Sequence, residues 1–299
     1  MANYYELVAG LPELRVDQSS VPISSDKYLD ILEKTLTNGD KKLLDTIRLD
    51  STVRNIEKLV FGNNVVPVDM SERDSDDCNI PVLNIEMNDI CHRAKNKIPL
   101  TDKYVAVPSF LMSIIYRIYS DENLEIHKNL SVVHDIYTAY YETAQKSDNE
   151  FISEWFSFNK NIKNIISLFV CEKLGWEPAD FILGNLPLDE RIRTSKTNNL
   201  NDIEELDYIN DVVSIAKESD ITKRERQIDL IKWKFLDKYN YDDVFGIENV
   251  ICYYIKLCIL ERWINLNKEQ GELKFRSIVA KLKETTKISL QEFKNKQRK

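Results

Sequence analysis

Apolar residues recur at helical spacing along most of the chain and almost nowhere alternate as they would in a strand. Tyr28, Leu29, Leu32 and Leu36 form the first such stripe, and Asn38-Gly39 is read as its end. A second helix is expected from about Asp40, with Leu43, Leu44, Ile47, Ile56, Leu59 and Val60 on its apolar face. Between Asn63 and Asp102 the rhythm gives way to short apolar runs and prolines, which predicts a long connection with limited helix. Pro108 suits a first helical position ahead of Phe110, Leu111, Ile114, Ile115 and Ile118. Val133, Ile136, Tyr137, Tyr140, Tyr141 and Ala144 continue the pattern. The longest stripe runs through Phe151, Trp155, Phe158, Ile162, Ile165, Phe169 and Leu174, with Gly175 as its C-terminal glycine and Pro178 beyond.

Arg191 to Asp202 carries no apolar pattern beyond Leu200 and is read as a polar loop, open to proteolytic nicking. Four helices are expected after it, at about 203–218, 222–238, 247–266 and 271–296. The third of these is apolar nearly all round, with Lys256, Glu261 and Arg262 as its main charges, and belongs in the middle of a bundle. Six of the eight prolines lie at or before Pro108 and none follows Pro187, so the last hundred-odd residues run without a proline break. The expected fold is all-α, with a short extended segment over the first twenty-five residues.

Composition narrows the function. With 49 acidic against 41 basic residues the net charge is -8, which argues against a general nucleic-acid binder. Only seven glycines occur in 299 residues, and none are spaced as a phosphate-cradling G-x-G-x-x-G or P-loop. The N-terminus has no basic region followed by an apolar stretch, and no apolar run reaches membrane-spanning length. Five scattered cysteines (78, 91, 171, 252 and 258) read as reduced thiols, and the expected compartment is the cytosol.

Candidate chemistry is sparse. His92, His127 and His134 are the three histidines. His134 and Asp135, adjacent on a helix, point about 100° apart and make no dyad. Cys91-His92 has no second pair at metal-ligand spacing, and Asp74–Asp77 lacks the spacing of a calcium loop. Lys223-Arg224-Glu225-Arg226 reads as an exposed face with local ion pairs, and the basic tail Lys294, Lys296, Arg298 and Lys299 as a helix C-terminus. No catalytic residue, cofactor or metal site is expected.

Several blocks resemble a bacterial family of unknown function encoded among V-type ATPase genes. They are Tyr4-Tyr5-Glu6-Leu7-Val8-Ala9-Gly10-Leu11-Pro12, Asp40-Lys41-Lys42-Leu43-Leu44 with Arg48-Leu49-Asp50, and Phe151-Ile152-Ser153-Glu154-Trp155 with Asn161 to Ile165. Glu225 to Asp229 with Lys232-Trp233, and Tyr254, Lys256-Leu257 and Leu260-Glu261-Arg262-Trp263, complete the set in the same order. Asn199-Leu200-Asn201-Asp202 departs from the more apolar segment of that family. The family in turn is similar to the C-type (d-type) subunit of V/A-type ATPases. Tyr254, Lys256, Glu261 and Arg262 resemble its last long helix, and Asn55-Ile56, Asn164-Ile165 and Asn249-Val250 its helix starts.

That resemblance implies an elongated, multi-lobed helical bundle shaped as a funnel, with lobes over 1–102, 103–190 and 191–299. It implies a non-catalytic central-stalk subunit that joins the rotor shaft to the membrane proteolipid ring, and hence a peripheral location on the inner membrane. Trp155, Asn164, Trp233, Tyr254, Lys256, Glu261, Arg262 and Trp263 are then structural motif residues. An assembly or regulatory adaptor of the same ATPase is the first alternative, and a helical enzyme built from distant carboxylates the second.

Overall fold

The structure is a computed structural model that describes residues 4–61, 80–101, 103–121, 130–203, 205–239 and 244–266. The expected helix over 271–296 and the basic tail lie outside the described residues, as do Asp74–Asp77, Cys78 and His127. Among the described residues the fold is all-α: eleven α-helices, two 3-10 turns and no strand.

The chain divides into two compact units, Met1–Lys34 with Leu236–Lys299, and Thr35–Phe235. The first therefore brings described residues from before Thr35 together with others from after Phe235. It holds α1 (Tyr5–Ala9), most of α2 (Ser25–Thr35) and α11 (Ile247–Asn265). The opening segment is thus not wholly extended, since α1 forms one helical turn and a half before an irregular stretch. Tyr4 is buried, and its N–H donates to the Phe245 carbonyl at 2.9 Å, tying α1 to the residues that lead into α11. Val250, Ile251, Cys252, Leu257 and Leu260 of α11 are buried, as an all-round apolar helix requires. Tyr28 of α2 is fully buried and meets Tyr253 edge-on at 5.1 Å.

The second unit contains α3 (Asn38–Phe61), α4 (Ile80–Lys95), α5 (Ser109–Ser120), α6 (Leu130–Gln145), α7 (Glu150–Leu174), α8 (Pro187–Thr194), α9 (Ile209–Ala216) and most of α10 (Ile221–Tyr239). Here α7 is the axis, packed against α6, α8 and α9. Asn149 caps its start by accepting the Ile152 N–H at 3.0 Å, and Gly175 ends it at φ 69°, the left-handed position expected of that glycine. Trp155 and Phe158 carry the core on to α10, with Phe158 stacked on Phe235 at 4.4 Å and Trp155 at 5.7 Å from the same ring.

Four readings of the sequence are corrected. Residues 80–95 form α4, where Leu83, Met87, Ile90 and Ala94 are buried at helical spacing and Pro81 falls in the first turn, where a missing N–H is harmless. The supposed polar loop 191–202 holds the second half of α8 and a 3-10 turn over Thr197–Asp202, with Ile192 and Leu200 fully buried. Asn38-Gly39 does not end α2; it opens α3, because Thr37 caps that helix instead. The Asp40 N–H donates to Thr37 Oγ1 at 3.2 Å, and the Thr37 hydroxyl donates back to the Asp40 carboxylate at 2.7 Å. Thr37→Ala is expected to cost about 1 kcal/mol, read as a lowered midpoint in thermal denaturation. Pro108 sits one residue earlier than expected, at the N-cap of α5.

Tyrosine burial gives the fold a pH limit. Burial pushes the Tyr119, Tyr208 and Tyr253 hydroxyls up to about 12 and those of Tyr28, Tyr137, Tyr140 and Tyr141 well above their usual range. Because the folded-state values are raised, this stabilisation is complete below the unfolded value near pH 10 and lost as the pH climbs towards the folded values. Each fully buried tyrosine steepens the fall by up to about 1.4 kcal/mol per pH unit. Tyrosinate absorbance is therefore expected to rise together with loss of helical circular dichroism above about pH 10. Ionisation of all tyrosines near pH 10 with the helices intact would contradict this packing.

Candidate functional site

The most constrained chemistry in the second unit lies where α7, α8 and the 181–186 segment meet. Lys160 of α7 is a charged residue on the apolar side of its helix, and only an opposite charge makes that burial tolerable. Its Nζ donates to Asp189 Oδ2 of α8 at 2.6 Å, and both side chains are only 1% exposed. Asp189 stands in the first turn of α8, where a carboxylate is favoured, and its Oδ2 also accepts the Leu186 N–H at 3.0 Å. Asn164, one turn along α7 from Lys160, satisfies Leu183 twice: its amide donates to the Leu183 carbonyl and its Oδ1 accepts the Leu183 N–H, both at 2.8 Å.

The rest of the segment is held from its other side. Arg193 of α8 donates to the carbonyls of Ile182 at 3.1 Å and Gly184 at 2.7 Å. His134 Nε2 of α6 donates to the same Ile182 carbonyl at 3.0 Å, while its Nδ1 lies 3.8 Å from Asp135, beyond hydrogen-bond range. Gly184 closes the arrangement at φ 86°, and a Cβ there would lie 2.4 Å from Asp189 Oδ2 and 2.8 Å from Lys160 Nζ. The ammonium and carboxylate meet directly, packed against a backbone position with no room for a side chain. This knot immobilises a segment; its charges are turned on one another and away from solvent.

The motif residues fall in both units. Trp155 and Trp233 are buried on α7 and α10, and Asn164 is a member of the knot. In the first unit Lys256 is 5% exposed and donates to Asp237 Oδ1 at 2.6 Å. Burial raises the Cys252 thiol to about 12 despite the opposing pull of Lys256. Glu261 accepts the Ser25 N–H at 2.8 Å and also the Ser25 hydroxyl, so it anchors the start of α2. Tyr254 and Trp263 are half-buried, and the exposed Arg262 guanidinium lies 5.7 Å from the Trp263 ring. Lys160, Asp189, Gly184 and Arg193 escaped the reading of the sequence. The available signal was a rare glycine three residues ahead of a proline-initiated helix with Asp in its first turn.

Among the described residues no group of three or more His, Cys, Asp and Glu side chains is placed to hold a metal ion. The arrangement defines a helical scaffold whose interior charges serve its own geometry. The chain belongs to the family described as protein of unknown function (DUF2764), which matches residues 1–286. No curated protein and no solved structure matches it significantly.

Proposed function

We propose that this chain is a non-catalytic coupling subunit of a bacterial V-type ATPase, joining the central rotor shaft to the membrane proteolipid ring. Two resemblances suggest the assembly: the ordered blocks from the Tyr4 segment to Trp263 are similar to a family encoded among V-type ATPase genes, and the Tyr254–Arg262 pattern is similar to the d-type subunit. One observation carries the mechanical part of the reading: five of the eight motif residues are used inside the fold. Trp155, Asn164, Trp233 and Lys256 are buried, and Glu261 is occupied by Ser25. A part that transmits torque needs stiffness, and close-packed helices with interior polar ties supply it.

Among the described residues no helix is long and apolar enough to cross a membrane. Attachment to the inner membrane would then run through the ring proteins. The test is affinity purification of the tagged protein from its native membranes in mild detergent, with stoichiometry measured by mass spectrometry. Ring and shaft proteins recovered with one copy of this chain per complex would support the rotor reading. Substoichiometric recovery would point to an assembly factor, and recovery without the ATPase would overturn the proposal.

A further inference from the structure

The polar knot ties down Ile182, Leu183, Gly184 and Leu186, and the residues just before them, from the end of α7 to Phe181, carry exposed apolar and acidic side chains. α7 ends at Leu174, and the Gly175 and Trp176 N–H groups both return to the Cys171 carbonyl, so the backbone turns sharply at that point. Leu174 is 51% exposed and Trp176 50%, and the Trp176 indole stacks flat on Phe181 with centroids 5.2 Å apart. An indole half in water, stacked on a ring next to the knot and with the Trp176 backbone N–H tied to the Cys171 carbonyl, is an anchor already ordered before any partner arrives.

The charges around it are mostly negative. Glu172, Glu177 and Asp180 are exposed, and none makes an ion pair among the described residues. Lys173 is the one cation between residues 172 and 186. All three carboxylates gather at the C-terminal end of a 25-residue helix, whose own partial charge there is negative. Like charges at that end are unfavourable, and their field reaches inward: the buried Cys171 thiol is pushed up by burial and further by Asp180. A cation brought to this surface relieves a repulsion that Lys173 alone offsets within the chain.

We propose that the α7 end, with Leu174, Trp176 and Phe181, docks a basic, amphipathic segment of another protein, anchored on Trp176 and steered by Glu172, Glu177 and Asp180. The inference stands apart from the ATPase reading, since any protein with such a segment satisfies it.

The test replaces Trp176 with the photo-crosslinker p-benzoylphenylalanine in the full chain, expressed in its native host. The crosslinked peptide is then identified by mass spectrometry. The expected product is one dominant peptide from another protein, with net positive charge. In the Glu172→Lys/Glu177→Lys/Asp180→Lys background its yield should fall about ten-fold or more, with thermal stability unchanged or raised. Made synthetically, that peptide should bind Trp176→Ala about ten-fold or more weakly than the unaltered chain. Three results would overturn the proposal: no product above that of the same crosslinker at exposed Lys146, a dominant crosslink to an acidic segment, or one to lipid or a second copy of this chain. The partner's identity bears on the rotor reading alone.

Discussion

Lys160→Met is expected to destabilise the second unit by about 3–5 kcal/mol, among the largest effects available to a single substitution in this chain. Methionine fills much the same volume, so cavity formation is a minor part of the loss. What remains is the Asp189 carboxylate, 1% exposed, with the Leu186 N–H at 3.0 Å and the more distant Asn164 amide at 3.4 Å as its remaining donors. Two neutral donors do not replace a cation at 2.6 Å in a water-excluded site. At about 2–4 °C per kcal/mol for a unit of this size, the midpoint should fall by roughly 6–20 °C. A Trp263→Phe background leaves Trp155, Trp176 and Trp233, all in the second unit, as the fluorescence reporters. Lys160→Met/Asp189→Leu should recover part of the loss, because no charge is then stranded. A single variant within about 1 kcal/mol of the parent would mean that the ion pair does not hold the segment.

Gly184→Ala is expected to cost about 2–4 kcal/mol for a different reason. Its φ of 86° lies where an L side chain is strained, which by itself accounts for about 1 kcal/mol. The new methyl would also sit 2.4 Å from Asp189 Oδ2 and 2.8 Å from Lys160 Nζ, distances that require movement. If the backbone moves, the Gly184 carbonyl leaves Arg193; if the ion pair opens, a buried charge loses its partner. Both variants act on one contact, so Lys160→Met/Gly184→Ala should lose clearly less than the sum of the singles. Additive losses would show that glycine is required for its backbone angle alone.

Helices with an uninterrupted apolar stripe were legible in the sequence: α2, α7, α10 and α11 stand close to their expected bounds, and the Gly175 cap is where the pattern placed it. Each misreading has its own local cause. Pro81 looked like a breaker, yet prolines in a first turn break nothing, and the buried series Leu83, Met87, Ile90 and Ala94 lay behind it. α8 is so short and polar that Ile192 alone in its second half is fully buried, too little for a periodic signal. Asn38-Gly39 read as a stop because both residues favour helix ends, but the Thr37–Asp40 reciprocal bonds made them the first turn of α3.

For the knot, the sequence held its parts without their relation. Asn164 was named as a motif residue, but its work on Leu183 was invisible, and Lys160 looked like any helix lysine. Periodicity reports which face of a helix is apolar; it says nothing of which distant charge will meet a buried one.

The sequence by itself determined the secondary-structure class, the place of the long apolar helices and the acidic balance, because these depend on local spacing and composition. The family rests on the match over residues 1–286. Only the tertiary structure decided that Lys160 meets Asp189 beside Gly184, and that residues 4–34 and 236–266 belong to one unit. It alone decided that Trp176 stays half in water while Trp155 and Trp233 are buried. Those outcomes turn on contacts between residues far apart in the chain, whose energies depend on burial and distance that no local pattern encodes.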